Sequence, residues 1–454
     1  MKRGGRGDLI GDFRVNRVIV IGGGFAGLSA AVELSSAGYH VTLAEQRRFL
    51  GGRAYSFLDR KTGLALDNGQ HILMGCYKNT FRFLEKIGVA DKLYVQKNLH
   101  IDFLDTNGNA SKLDCLPLPA PLHIASGILR FNALPLTDRF RMLRVAEGVL
   151  SGNSKSLSGD CTISEWLNRL GQPKEAQDTL WNIIALATLN ENPDKASAGL
   201  FKTVLKQAFF ADRQGSRIVL PAAPLSRLYV DAAENFIRQR EGVIEKGCIV
   251  SEILIKDHAV TGIRFHNGRI LKGDYYISAV PYDSLQRILP DKKGISVTPL
   301  FSASPIISIH LLFNNSITDY RFAALLNSPI QWIFNKEKLY RDSSYRGLLS
   351  IVISGAHQYL DVPSEKLVDL ALRELKKTLP DTNSTKLLYS KVIKERFATF
   401  SPVPGMDLYR PAQETPIQNL FLAGDWTDTG LPATIEGAVI SGYQCARLIT
   451  KTDP

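Results

Sequence analysis

Gly22, Gly24 and Gly27 stand at the spacing G-x-G-x-x-G inside the stretch RVIVIGGGFAGLSAAVEL. Four aliphatic residues run into the glycines, and a small-residue helical segment follows. At such a strand-to-helix turn the first glycine permits the tight bend. The second lets the backbone approach a pyrophosphate, and the third lets helix and strand pack closely. Phe25 and Ala26 lie between the last two glycines, so their amides open the helix and belong to the same set. Those amides and the helix dipole favour negative charge. Glu45 ends the next apolar run, 18 residues beyond Gly27. An acid there takes the ribose hydroxyls of a dinucleotide and disfavours a 2′-phosphate. A glycine turn in an unrelated α/β protein is the competing reading, and it leaves Glu45 unexplained.

Two further stretches extend the chemistry. In EQRRFLGGRAYSF, Gly51 and Gly52 let the backbone pass a bound diphosphate, and Arg53 supplies positive charge. A surface salt bridge is the plainer role for Arg53. Near the other end, LFLAGDWTDTGLPATIEGAVISG delivers Gly424 and Asp425 from a strand to a loop, and a helix begins after Pro432. Asp425 is placed to accept hydrogen bonds from a ribityl chain. The helix start around Thr434 and Ile435 faces the pyrimidine edge of a flavin, where its dipole steadies the negative charge of the reduced ring. An ordinary capped terminal helix would not explain a second glycine–acid loop in one chain.

The elements that must position these residues are legible in outline. VIVI is a buried strand, GLSAAVELSSAG a helix ended by Gly38, and HVTLAE a second strand, which together make a βαβ unit. From about 78 to 220 helical periodicity dominates, in TFRFLEKIGVADKL, LTDRFRMLRVAEGVL and TISEWLNRLGQ. Strands return in GCIVSEILIKDHAVTGIRF and GDYYISAVP, then in SPIISIHLLFNN and GLLSIVIS, with a helix in SEKLVDLALRELKKTL. Nucleotide-binding character therefore recurs at three separated places. The reading is an α/β protein with a Rossmann-like, discontinuous dinucleotide-binding domain (1–77, 221–285 and 396–454). A mixed α+β substrate domain (78–220 and 286–395) is inserted into it.

Composition sets the outer limits. The chain has 454 residues, 44% hydrophobic and 22% charged, with a formal charge of +11. That is globular composition with material for a large core. The basic balance suits an anionic membrane surface or anionic ligand, and no basic helix with interleaved aromatics points to nucleic acid. Cys76, Cys115, Cys161, Cys248 and Cys445 form no C-x-x-C pair, so neither a disulfide framework nor a metal site is expected. The basic start MKRGGRGDLIGDFRVNR lacks the apolar core of a signal peptide, and no run reaches transmembrane length. These features read as a cytoplasmic protein that touches a membrane surface.

The glycine turn with Glu45, then GGR, then AGDW before a helix resembles the FAD-dependent amine oxidase and phytoene desaturase superfamily. The resemblance implies FAD as cofactor, and it places Val250 of CIVSEI beside the adenine through backbone contact. Finer motifs are similar to the squalene-associated FAD-dependent desaturases, the hydroxysqualene dehydroxylases: DNGQHILMGCY, SPIISIHLLF, QWIFNK, VISGAH, FATFSPVPG and AGDWTDTGLPATIEGAV. ERFA at 395–398 departs from that pattern at Phe397. This resemblance implies reductive loss of water from hydroxysqualene, a C30 allylic alcohol, to give squalene. A carotenoid-type desaturase or oxidase shares the fold and runs the flavin in the opposite direction. An amine oxidase and a non-enzymatic prenyl-lipid carrier are further readings. The reductant is not readable from the chain.

Loss of hydroxide needs a proton donor, and His71 in DNGQHI is the first candidate, with Tyr77 the second. A structural histidine is the alternative, and Asp67 reads as a residue that positions the loop. Trp332, Phe334 and Trp426 are aromatics able to face a cation, or simply to pack. A C30 chain also requires a long apolar pocket. LPLPAPLHIASGILRFNALPLT, residues 116–137, is rich in proline and aliphatics and has Arg130, Arg139 and Arg141 within or just beyond it. It reads as a segment that dips into an anionic bilayer, or as buried lining of the core.

Overall fold

The computed structural model describes residues 16–150, 160–289 and 301–452. Most of the basic start of the chain lies outside the described residues.

A five-stranded parallel sheet forms the base of the molecule. Its order is Val243–Lys246, His40–Glu45, Arg17–Ile21, Tyr275–Ser278 and Leu420–Leu422. The strands therefore come from three distant parts of the chain. Parallel strands are covered on both faces, which explains the unbroken aliphatic run of RVIVI. Val18 and Val20 pack against the helices Phe25–Ser36, Asp231–Arg238 and Ile435–Thr452. Ile19 and Ile21 face the other way, onto the antiparallel strands Val250–Lys256 and Ala259–Phe265. The first and last helices of the described chain, Phe25–Ser36 and Ile435–Thr452, lie against each other. Gly442 permits this: a Cβ there would collide with Ala26 O and Ser29 Oγ.

The second layer is a seven-stranded sheet. Its order is Leu387–Phe400, Ala303–Phe313, Leu348–Ser354, Trp332–Asn335, Phe322–Leu325, His100–Leu104 and Ala110–Asp114. Ile307, Ile309 and Leu311 on one face bury the apolar stripe of the helix Ser364–Thr378, at Leu367, Ala371 and Leu375. The opposite face carries Trp332, Phe334 and Val352 against the helices between 122 and 210.

Two details are added to the outline. The stretch 78–220 holds the strands Leu93–Val95, His100–Leu104, Ala110–Asp114 and Ile218–Pro221 as well as helices. His100–Leu104 and Ala110–Asp114 form a hairpin closed by Asp105, whose carboxylate accepts from the Asn107 and Asn109 amides, with Gly108 at φ +80. They extend the sheet built by the later segment. The strand Leu387–Phe400 also runs through position 396, so that boundary falls inside one continuous strand.

Candidate active site

The glycine turn is built as its residue types require. Gly22 adopts φ +104, and a Cβ on it would sit 2.8 Å from Ala279 O. Gly27 lies beneath Gly22 and leaves no room for a Cβ against Gly22 O, so it sets the packing and does not line the site. The helix Phe25–Ser36 has no acid in its first turn, and its opening amides have no intrahelical acceptors. Glu45 is buried and accepts from the amides of Gly23 and Arg47, both at 2.8 Å. Gly51 N donates to Gly23 O at 2.8 Å, which docks the Gly51–Gly52 turn on the first one. Tyr229 locks this arrangement. Its ring stacks on Phe25 with centroids 3.8 Å apart, and its hydroxyl lies 2.6 Å from Ala54 O.

The far end of the chain closes on the same place. Arg53 pairs with Asp425 at 2.6 Å and donates to Ala398 O at 2.8 Å. Burial alone would lower the Arg53 pKa, but the adjoining Asp425 carboxylate more than offsets this and raises it. Gly424 donates its N–H to Ser441 Oγ at 2.8 Å, which ties the loop to the last helix. Thr434 Oγ1 accepts from Gly437 N at 3.1 Å at that helix's start. Beneath the loop, the buried Arg410 guanidinium reaches Leu431 O at 2.6 Å and Asp425 O at 3.1 Å. Glu436 accepts from the amides of Asn79 and Thr80, so the last helix also caps the helix Lys78–Lys86.

A single cavity of about 360 Å³ connects these parts. Gly22, Gly24, Phe25, Ala26, Glu45, Gly51, Gly52, Arg53, Val250, Gly424, Asp425, Thr434 and Ile435 all line it. So do His71 and Tyr77. Its other end is mostly apolar, walled by Ile72, Ala187, Ile306, Trp332, Phe334 and Val352, with Ser308 and Ser354 on the same strands. Trp426 lines the polar part instead, where its indole N–H donates to Val280 O at 3.0 Å and its ring packs edge-on to Phe301.

His71 stands between the two ends. Nε2 is buried and has no hydrogen-bond partner among the described residues. Burial pushes its pKa down to about 4; Lys336 and Arg53 push the same way, and Asp67 opposes them. It is thus a neutral imidazole at pH 7. In that form His71 can offer or accept a hydrogen bond in the cavity. Burial pushes the Tyr77 phenol up, so it keeps its proton. Asp67 is held well below the usual carboxylate range: burial opposes ionisation, but the Lys336 ammonium at 2.8 Å prevails. Lys336, Tyr229, Arg410 and Glu436 were not found by sequence reasoning. Only Lys336 carries a signal, a charge at the end of the buried strand in QWIFNK.

The residues fit a flavin dinucleotide. An acid-free helix start faces a turn that any Cβ would fill, and Glu45 presents its carboxylate to the cavity. Among the described residues no metal-ligating cluster exists, and all five cysteines are free. A sequence profile of the flavin containing amine oxidoreductases matches residues 25–450. The 15-cis-phytoene desaturase of an Oncidium hybrid cultivar is 31% identical over 96% of this chain and 78% of its own length. That of Synechococcus elongatus is 29% identical over 95% of each. A solved oxidoreductase from Methanosarcina mazei superposes with a TM-score of 0.72 at 17% identity, covering 95% of this chain and 100% of the other.

Proposed function

The chain belongs to the flavin-containing amine oxidoreductase family and is an FAD-dependent oxidoreductase; from that premise we propose that it desaturates a long linear isoprenoid of the carotenoid-precursor type. One observation carries this reading: the cavity runs unbroken from the glycine turn to the apolar wall of Trp332 and Phe334. Phytoene desaturases on both sides of the comparison, plant and cyanobacterial, support it. FAD supplies a two-electron acceptor or donor when bound. Gly22–Ala26, Glu45, Arg53 and Asp425 hold it, and the apolar end excludes water and orients the chain. Desaturation removes two hydrogens from adjacent carbons, as a hydride that bound FAD would accept and a proton that would leave to the medium, with a quinone reoxidising the flavin.

Reductive dehydroxylation of hydroxysqualene is the second reading, with the electrons flowing the other way. It rests on the resemblance of DNGQHILMGCY and AGDWTDTGLPATIEGAV to the hydroxysqualene dehydroxylases, and residues of both motifs line the cavity. In that reading a hydride from reduced FAD would replace the hydroxyl, the oxygen would leave as water with a proton from the medium, and Tyr77, which keeps its own proton, and neutral His71 hydrogen-bond the oxygen as it leaves.

One anaerobic experiment with FAD-loaded protein separates the two. Phytoene with a quinone should lose two hydrogens by mass spectrometry. Hydroxysqualene with reduced FAD should yield squalene if the second reading holds. No product from either substrate would overturn both.

We further propose peripheral contact with an anionic bilayer. Among the described residues no helix is long and apolar enough to cross a membrane. Leu118, Leu122, Leu136 and Phe140 are each exposed on the 116–140 segment, which also carries Arg130 and is followed by Arg141, paired with Asp114 and Asp138 respectively. Apolar side chains flanked by cations suit an interfacial position.

A further inference from the structure

Lys336 is a lysine that is 2% exposed, one of the largest fully buried side chains of the protein. It begins the one-turn helix Lys336–Tyr340, directly after the strand Trp332–Asn335 of the seven-stranded sheet. An ammonium has three N–H donors, and here each finds an oxygen. They reach Asp67 Oδ2 at 2.8 Å, Gln70 Oε1 at 2.6 Å and Tyr340 Oη at 2.8 Å. The loop that follows Asp67 belongs to the dinucleotide half: Asn68 Nδ2 donates to Arg53 O at 2.6 Å. Lys336 therefore grips that loop at Asp67 and again at Gln70. Gln70 Nε2 passes the constraint on, donating to His71 O at 3.1 Å. The sheet holds the loop a second time through His310, whose Nε2 lies 2.9 Å from Asp67 O. A carbonyl only accepts, so Nε2 carries the proton; burial keeps His310 neutral, and Nδ1 then accepts from Ser350 Oγ.

A buried ion pair is a costly way to join two surfaces, and geometric registry is its best-attested use. We propose that Lys336 is a positioning residue: it ties the loop Asp67–Ile72 to the seven-stranded sheet and thereby fixes where His71 stands in the cavity. The inference rests on the cavity being the reaction site. Its electrostatic side follows from the same contacts. The charged groups facing His71 are Asp67, Lys336 and Arg53. Burial is the main reason that His71 stays neutral, and the Lys336 and Arg53 charges add to it against Asp67.

Lys336→Met and Lys336→Arg test this in the FAD-loaded protein. Histidine Cε1 resonances are followed from pH 8 to pH 5, with His71 assigned by a His71→Gln variant. The wild-type signal should stay at its neutral position. In Lys336→Met it should begin to move at the acid end of that range, since one charge opposing imidazolium is gone. The kcat should fall about tenfold or more while KM stays within about threefold, since a displacement of about 1 Å costs that much. Lys336→Arg keeps the charge and should recover part of both. A flat His71 signal together with wild-type kcat would overturn the proposal. Should Lys336→Met fail to fold, the pair Asp67→Asn with Lys336→Met removes both charges and leaves the tether broken. Wild-type kcat in that variant would overturn it equally. The titration needs no substrate, so its result stands apart from which isoprenoid the enzyme accepts.

Discussion

Gly442→Ala is the perturbation that most directly loads the joint between the two ends of the chain. The built Cβ overlaps Ala26 O and Ser29 Oγ and lies 3.0 Å from Ala30 N. An ordinary carbon–oxygen approach is about 3.3 Å or more, so the last helix must retreat by about 1 Å. Two of the three contacts are backbone atoms of the helix Phe25–Ser36, which cannot rotate away. Overpacking of this kind costs about 1–3 kcal/mol. The retreat is transmitted, because Ser441 Oγ receives the Gly424 amide and Cys445 Sγ contacts Leu422 O. If the full strain is felt at the flavin loop, FAD binds about 5- to 150-fold more weakly. The assay is FAD release on dilution, followed by recovery of free-flavin fluorescence, beside thermal unfolding of apoprotein and loaded protein. Ser29→Ala in the same background should recover only part of the loss, since the Ala26 carbonyl remains. Wild-type FAD affinity in Gly442→Ala would refute the claim that these helices jointly set the site.

Glu45→Gln removes the charge from an acceptor of two backbone amides, and hydrogen bonds to charged groups contribute about 1.5–3 kcal/mol. Flavin titration should show binding weakened at least about tenfold; an unchanged Kd would count against the ribose assignment. His71 and His310 both have folded pKa values near 4, below the ordinary value of 6.5, with burial the main cause. The unfolded chain therefore binds more protons between pH 6.5 and pH 4, and stability falls as pH drops through that window. Denaturation between pH 6.5 and pH 5 should show a slope of up to about 1.4 kcal/mol per pH unit for each histidine, and His310→Gln should flatten it. A slope unchanged by that substitution would contradict the buried neutral assignment. Leu122→Asp with Phe140→Asp should abolish flotation with anionic vesicles at low salt without altering FAD content. Persistent flotation would place the membrane contact elsewhere.

The site was legible where it is local in sequence. Strand, glycine turn, helix and Glu45 span under thirty residues, and each type is dictated by φ, by close approach or by charge. The C-terminal loop was readable for the same reason. Asp67 and Lys336 are 269 residues apart, and no spacing rule connects them. Arg410 binds carbonyls at 425–431 as well as its neighbour Asp407, and Glu436 binds residues 79 and 80, so most of their partners lie too far along the chain for spacing to reveal them. The hairpin of His100–Leu104 and Ala110–Asp114 did carry an Asn-Gly turn signal, masked by the helical periodicity on either side. His71 was found by motif, but its charge state depends on burial and on Lys336, which sequence does not display. Phe397 departs from the expected pattern, yet it is exposed on the edge strand Leu387–Phe400 and faces no described partner in the cavity.

The central claim is that both ends of the chain grip one FAD beside an apolar channel that receives a long isoprenoid. Anaerobic stopped-flow mixing of the FAD-loaded protein with phytoene in detergent micelles tests it most directly. The account predicts that the yellow flavin band bleaches in a single turnover, with one desaturated product formed per flavin. A flavin that stays oxidised with phytoene, and that stays reduced when offered hydroxysqualene, would contradict it.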